Sequence, residues 1–122
     1  MKDRILIVED DPDIRHALAM FLRFAGYETM TAANGQEAID LLEDHAPPRL
    51  IILDLMMPVM DGWTFRQLQL TNSSLAEIPV VIVSGAANIP QEAVLLNACG
   101  YLVKPFTLEA VVETVKRHCP AA

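Results

Sequence analysis

Short apolar runs alternate with stretches of helical period along this chain. Residues Ile5, Leu6, Ile7 and Val8 form one such run; Leu50 to Leu53 and Val80 to Val83 form two more. Four consecutive apolar residues rich in Val and Ile have the length and composition of a strand buried on both faces. Residues 27–32 read as a more polar strand and residues 101–103 as a short one. Between the strands, apolar positions recur every three or four residues, as one face of a helix requires. These positions are Ile14, Leu18, Phe21, Leu22 and Ala25, then Ala38, Leu41 and Leu42, then Phe65 and Leu68, and finally Leu108, Val111, Val112 and Val115. A modest helix is expected over residues 90–96.

Punctuation agrees with this pattern. Asp11 suits an N-cap with Pro12 at the first helical position, and Gly26 stops that helix. Asn34-Gly35 opens the second helix, Pro47-Pro48 ends it, residues 71–74 break the third, and Pro79 introduces the fourth strand. Five strand–helix units in alternation predict an α/β fold, a parallel sheet covered by helices on both faces. There is no internal repeat, low-complexity tract or linker, so residues 1–122 are expected to form one domain.

Composition narrows the function classes. The chain is 52% hydrophobic and only 20% charged, which excludes a disordered segment. A net charge of -7 opposes direct binding to nucleic acid, which calls for clustered Lys and Arg. The apolar runs are too short to span a bilayer and the N-terminus lacks a signal-peptide core, so no membrane insertion and a cytoplasmic location are expected. Cys99 and Cys119 lack metal-ligand spacing and read as reduced structural thiols. His16, His45 and His118 form no ligand set, and His118 is placed to complement the C-terminal dipole of the last helix. Trp63, Met56, Met57 and Met60 read as packing or rim residues.

The candidate chemistry lies where the strands end. Glu9, Asp10 and Asp11 follow the first strand, Asp54 the third, Ser84 the fourth, and Lys104-Pro105 the fifth. In open parallel sheets the ligand crevice lies outside these carboxyl ends. Convergent carboxylates repel one another unless a cation is bound, and an all-oxygen donor set suits Mg2+ rather than zinc or copper. A carboxylate beside such an ion can act as a nucleophile toward phosphorus. The resulting charge would need partners, which Lys104 and Ser84 can supply as an ammonium and a hydroxyl. Asp11, next to Pro12, suits a helix cap better than a metal ligand.

Four segments now combine: Ile-Leu-Ile-Val-Glu9-Asp10-Asp11, Asp54-Leu-Met-Met-Pro58-Val-Met-Asp-Gly62, Ser84-Gly-Ala86 and Tyr101-Leu-Val-Lys104-Pro105-Phe106. In this order, over the whole chain, they resemble the receiver domain of bacterial two-component response regulators. The resemblance implies a flavodoxin-like (βα)5 doubly wound sheet of order 2-1-3-4-5. It implies that Asp54 accepts a phosphoryl group from a sensor histidine kinase or a histidine phosphotransfer protein. Asp10 and Asp54 would ligate Mg2+, Glu9 would act through water, and the Met56 backbone carbonyl would complete the protein's share. Lys104 would hold a phosphoryl oxygen, Ser84 would shift toward another, and Tyr101 would rotate inward behind it. Asp11, Ala86 and Pro105 would flank the site, with a cis bond before Pro105.

The same resemblance implies a switch read by an unidentified downstream protein at the face of helix four, strand five and helix five. The protein would act as a monomer or a phosphorylation-dependent dimer, and its only catalysis would be its own phosphotransfer and dephosphorylation. Two departures stand out. Asn97 replaces a usual Gly, and the span from Ser84 to Lys104 is about two positions short, which predicts a brief helix four. Met56 and Ala86, which flank the acceptor, cannot orient a water by hydrogen bonding, so slow self-hydrolysis is expected. The alternatives are a Mg-dependent phosphohydrolase with an aspartate nucleophile, an unphosphorylated receiver-like interaction module, and a flavin binder. Against them stand Met56 in place of a second acid, the complete acid, serine and lysine set, and the lack of a phosphate-cradling loop after strand one.

Overall fold

In the computed structural model, which describes residues 2–85 and 87–119, strands and helices alternate as the hydrophobic pattern predicts. The elements are β1 (Arg4–Val8), α1 (Pro12–Phe24), β2 (Glu28–Ala32), α2 (Gly35–Asp44), β3 (Leu50–Asp54), α3 (Gly62–Thr71), β4 (Val80–Ser84), α4 (Ile89–Leu95), β5 (Gly100–Val103) and α5 (Leu108–His118). All strand pairs are parallel and the order is β2-β1-β3-β4-β5. The apolar strands β1, β3 and β4 are therefore central, and the more polar β2 and β5 form the edges. This distribution is what burial on two faces against partial exposure demands.

Strand side chains alternate between two cores. Leu6, Val8, Ile51, Leu53 and Ile82 face α2, α3 and α4, where Ala38, Leu42, Phe65, Ile89 and Ala93 meet them. Ile5, Ile7, Ile52 and Val81 face α1 and α5, packing on Leu18, Leu22, Val111 and Val115. Four helices carry a side-chain N-cap: Asp11, Asn34, Asp61 and Thr107 each accept from an amide in the first turn. Asn88, which precedes α4, makes no such bond. Among the described residues no helix is long and apolar enough to cross a membrane.

The expected inward Leu68 of α3 is instead 44% exposed, while Arg66 and Gln69 are buried. Apolar periodicity misses this face because its work is polar. Arg66 donates from Nε to the Leu96 carbonyl (2.9 Å), from Nη2 to Asn97 (2.9 Å) and from Nη1 to the Gln69 side chain (2.7 Å). Gln69 in turn donates to the carbonyls of Leu75 (2.9 Å) and Ile78 (3.0 Å). Buried polar groups persist only when partnered, and these two satisfy carbonyls that helix and loop ends leave open.

The short span between Ser84 and Lys104 is absorbed by α4, which has only seven residues. Asn97, just beyond it, takes φ 53°, a left-handed conformation that Asn tolerates. Cys119 is buried, but Cys99, expected to be structural, is exposed because the edge strand it precedes leaves its side uncovered. His118 closes α5 and lies over Gly100, where an added Cβ would come within 2.8 Å of its Nε2.

Gly62 sets the entry of α3 against β3. A Cβ there would lie 2.6 Å from the Asp54 carbonyl oxygen and 2.7 Å from the Leu55 Cα, both backbone atoms that cannot swing aside. Gly62→Ala is expected to destabilise the fold by about 1–3 kcal/mol or more, read from urea unfolding midpoints. Thr64→Ala, at an exposed position of the same helix, should change stability by less than about 0.5 kcal/mol.

Candidate functional site

Beyond the end of β1 the chain stays in the ladder for one more bond, from the Glu9 amide to the Ala32 carbonyl (3.0 Å). It then turns into α1 with Asp11 as its cap, accepting from the Asp13 and Ile14 amides at 2.9 and 3.3 Å. Glu9 is thus aimed inward, 2% exposed, while Asp10 stays at the solvent edge. Arg15, in the first turns of α1, donates from Nη1 to the carbonyls of Glu9 (2.8 Å) and Asp10 (3.3 Å) and so ties this loop to the helix. The sequence reading missed Arg15. A cation one turn into a helix that follows an acidic loop is the signal it overlooked.

Asp54 is the last residue of β3 and lies in register with Val83 of β4. Its Oδ1 accepts from the Met56 amide (3.1 Å), and the Leu55 amide donates to the Val83 carbonyl (3.1 Å). These bonds leave the carboxylate 2% exposed at the mouth of the crevice. The loop that follows turns tightly at Val59, whose φ of 68° accompanies a 2.7 Å bond from the Met60 amide to the Pro58 carbonyl. Gly62 then brings the chain back, its amide donating to Leu55 (3.0 Å).

Lys104 completes the cluster. Its amide donates to the Ser84 carbonyl (2.9 Å) and the following bond to Pro105 is cis, as the resemblance implied. Its Nζ lies 3.1 Å from Asp54 Oδ2 and 3.1 Å from Glu9 Oε1. One ammonium is therefore shared by two buried carboxylates from different strands. Carboxylate oxygens of Glu9, Asp10 and Asp54 all lie within 4.8 Å of one another.

The electrostatics follow from this crowding. Burial, reinforced by Asp54 next to it, pushes the Glu9 carboxyl up to about 7, although the Asp11 amide and Lys104 pull the other way. For Lys104 burial opposes the charge, but its contacts with Glu9 and Asp54 outweigh that and hold the ammonium above its ordinary value. Two buried acids and one partly exposed acid against a single lysine leave an excess of negative charge. The donor set is all carboxylate oxygen, which fits a hard divalent cation such as magnesium and not a thiophilic one.

The geometry thus brings Glu9, Asp10, Asp54 and Lys104 together. Ser84 sits buried at the end of β4, paired in register with Val103. Tyr101 lies away from the cluster on β5, 44% exposed. Asp11 is a cap outside the acidic group, Pro105 lines an apolar groove with Ile14 and Phe106, and Ala86 lies outside the described residues. Trp63, expected as a packing or rim residue, also donates from Nε1 to Glu92 of α4 at 2.7 Å.

Order β2-β1-β3-β4-β5, with acids on the adjacent strands β1 and β3, defines a flavodoxin-like α/β domain whose chemistry sits at the point where strand order reverses. Comparison with known proteins gives the family. The family model described as the response regulator receiver domain matches residues 5–116. Over 127 aligned residues the chain is 34% identical to a probable transcriptional regulator ycf27 of Porphyridium aerugineum, covering 99% of this chain and 51% of that protein. It is 35% identical over 119 residues to the response regulator MprA of Mycobacterium sp. (strain KMS), covering 95% of this chain and 50% of that one. Among solved structures, the chemotaxis response regulator CheY4 of Vibrio cholerae superposes with a TM-score of 0.87 at 33% identity, over 97% of this chain and 99% of that one. The chain belongs to the response regulator receiver domain family. It spans about half the length of the curated relatives named here.

Because folding raises the Glu9 pKa from 4.5 to about 7, the native state holds a proton that the unfolded chain has released between those values. Stability of the metal-free protein should be greatest below about pH 4.5 as far as this residue is concerned, and should fall by up to about 3 kcal/mol as pH rises through about 7. Urea unfolding of wild type and Glu9→Gln across that range in EDTA measures the effect. The fall assigned to Glu9 should be missing from the variant.

Proposed function

We propose that the protein is a phosphoacceptor switch in which Asp54 receives a phosphoryl group from a phosphohistidine of a sensor histidine kinase or a phosphotransfer protein. The observation that carries this reading is Lys104 Nζ standing 3.1 Å from both Asp54 and Glu9, with Asp10 alongside. An ammonium so placed is ready to follow the charge from the carboxylate onto a phosphoryl oxygen.

In the transfer, a carboxylate oxygen of Asp54 forms a bond to phosphorus as the bond from phosphorus to the donor imidazole nitrogen breaks. The Met56 amide on Oδ1 and Lys104 on Oδ2 orient the carboxylate for this attack. Asp10, Asp54 and the Met56 carbonyl, with Glu9 behind them, would hold a magnesium ion, which would supply positive charge against the phosphoryl oxygens. After transfer Lys104 exchanges its contact with Asp54 for a phosphoryl oxygen. The Ser84 hydroxyl, at the end of the neighbouring strand, donates to another. Tyr101, now half outside on β5, turns inward behind Ser84 and alters the face of α4, β5 and α5 that a downstream partner reads.

The one domain over 1–122 would perform this role in the cytoplasm, where such kinases present their phosphohistidine. Met56 two positions after Asp54 offers no carboxyl to protonate a leaving alcohol, which argues against turnover of phosphate esters.

Intact mass after incubation with acetyl phosphate and Mg2+ should reveal one covalent phosphoryl adduct in wild type. Asp54→Asn should lack it, and EDTA should suppress it; adduct persisting in Asp54→Asn would overturn the assignment. The adduct should also be long-lived. Met56→Asn, which adds a group able to orient water, should shorten its lifetime at least severalfold when decay of radiolabel is followed.

A further inference from the structure

The three acids of the cluster are not held alike. Asp54 Oδ1 accepts from the Met56 amide and its Oδ2 meets Lys104, while Glu9 Oε1 meets Lys104 and its Oε2 accepts from the Asp11 amide at 3.2 Å. Among the described residues the exposed Asp10 side chain makes no hydrogen bond or ion pair. One of its oxygens nevertheless lies within 4.8 Å of oxygens of both Glu9 and Asp54. Its direction is therefore set by the backbone that carries it.

That backbone is held by Arg15. Nη1 donates to the carbonyl on each side of the Asp10 Cα, that of Glu9 at 2.8 Å and that of Asp10 at 3.3 Å. Among the described residues these two carbonyls have no other donor. A charged donor shared by two consecutive carbonyls restrains the φ and ψ between them firmly, because charge-assisted bonds are the stronger class. Arg15 itself starts from a regular turn of α1, its amide donating to the Asp11 carbonyl at 2.9 Å. It differs from Lys104 in the atoms it uses. Lys104 sits on carboxylate oxygens, whereas Arg15 makes no ion pair among the described residues and takes none of the oxygens that a hard cation would use.

We propose that Arg15 is the positioning residue of the cation site, aiming the Asp10 carboxylate toward Glu9 and Asp54 by fixing the carbonyls on either side of it. Its bearing on magnesium rests on the phosphoacceptor reading; its hold on the loop does not. Arg15 also brings a positive charge close to the site, and that charge alone would repel Mg2+. Removing the side chain thus has two effects of opposite sign. Losing the charge tightens cation binding, while losing the positioning loosens it, since a ligand that must first be ordered binds more weakly. Positioning is the larger effect here, because Arg15 is partly exposed and its charge is screened by water and salt.

Mg2+ titration of the whole chain, followed by NMR at the amides of the strand-end loops, tests it. Arg15→Met keeps the apolar stem without the donors and should raise the Mg2+ Kd about tenfold, the lower end of what outer partners of metal ligands cost. In an Asp10→Asn background the same change should add less than about twofold, because the carboxylate through which Arg15 acts is already gone. Tyr27→Phe loses a buried bond to the Cys119 carbonyl at the amino end of the sheet, and this loss of stability alone should leave Kd within about twofold. In EDTA, Arg15→Met should speed exchange of the Glu9 and Asp11 amides at least about fivefold and leave those of Leu55 and Met56 within about twofold. Unchanged or tighter Mg2+ binding by Arg15→Met, or an equal loss in the Asp10→Asn background, would overturn the proposal. Faster loop exchange in EDTA, together with no Mg2+ binding by wild type, would uphold the hold on the loop and count against the magnesium site instead.

Discussion

One ammonium shared by two buried carboxylates is the constraint around which this protein is arranged. Lys104 leaves β5, Glu9 follows β1 and Asp54 ends β3, so the contact at 3.1 Å to each acid can form only when the three strands are in their observed register. Breaking a buried pair by removing one partner costs about 3–5 kcal/mol, because a charge is left behind. Here one ammonium faces two acids at once. The same arrangement that ties the strand ends together is short of positive charge, and the Glu9 carboxyl answers by holding its proton up to about pH 7.

The acidic cluster is supported from behind by α3. Gly62 lets the helix start in contact with the Asp54 and Leu55 backbone, and Asp61 caps its first turn. Further along, Arg66 and Gln69 bind carbonyls of α4 and of the loop before β4. A helix usually organises its neighbours with an apolar stripe. This one adds a polar stripe, and that addition lets a seven-residue α4 with no N-cap side chain keep a defined position. The departure in length between Ser84 and Lys104 is thereby absorbed away from the acceptor.

The surface around α4 and β5 is correspondingly apolar in places. Val94, Leu95, Tyr101 and Val103 are all exposed there. On the opposite side of the sheet α1 and α5 pack on a dry core, with Tyr27 buried and donating to the Cys119 carbonyl at 2.8 Å.

Much of this was legible in the linear chain because the signals are local. Apolar runs of four with helical periods between them determined the five units, Asp11 and Pro12 the start of α1, Asn34 and Gly35 that of α2, and the strand-end positions of Glu9, Asp54, Ser84 and Lys104 the place of the chemistry. Asn97 in the left-handed region and the brevity of α4 could also be read there. Other features could not, because they depend on partners far away in sequence. Arg66 and Gln69 look like solvent residues until the carbonyls of Leu96, Asn97, Leu75 and Ile78 are brought to them, and Leu68 looks buried until they take its place. Cys99 looks structural until β5 proves to be an edge. The order of elements is therefore a property of the sequence, since helix and strand periods are set by neighbours. Which charge meets which was decided only by the tertiary structure, because electrostatic and hydrogen-bond energies depend on distances that the packed sheet alone defines.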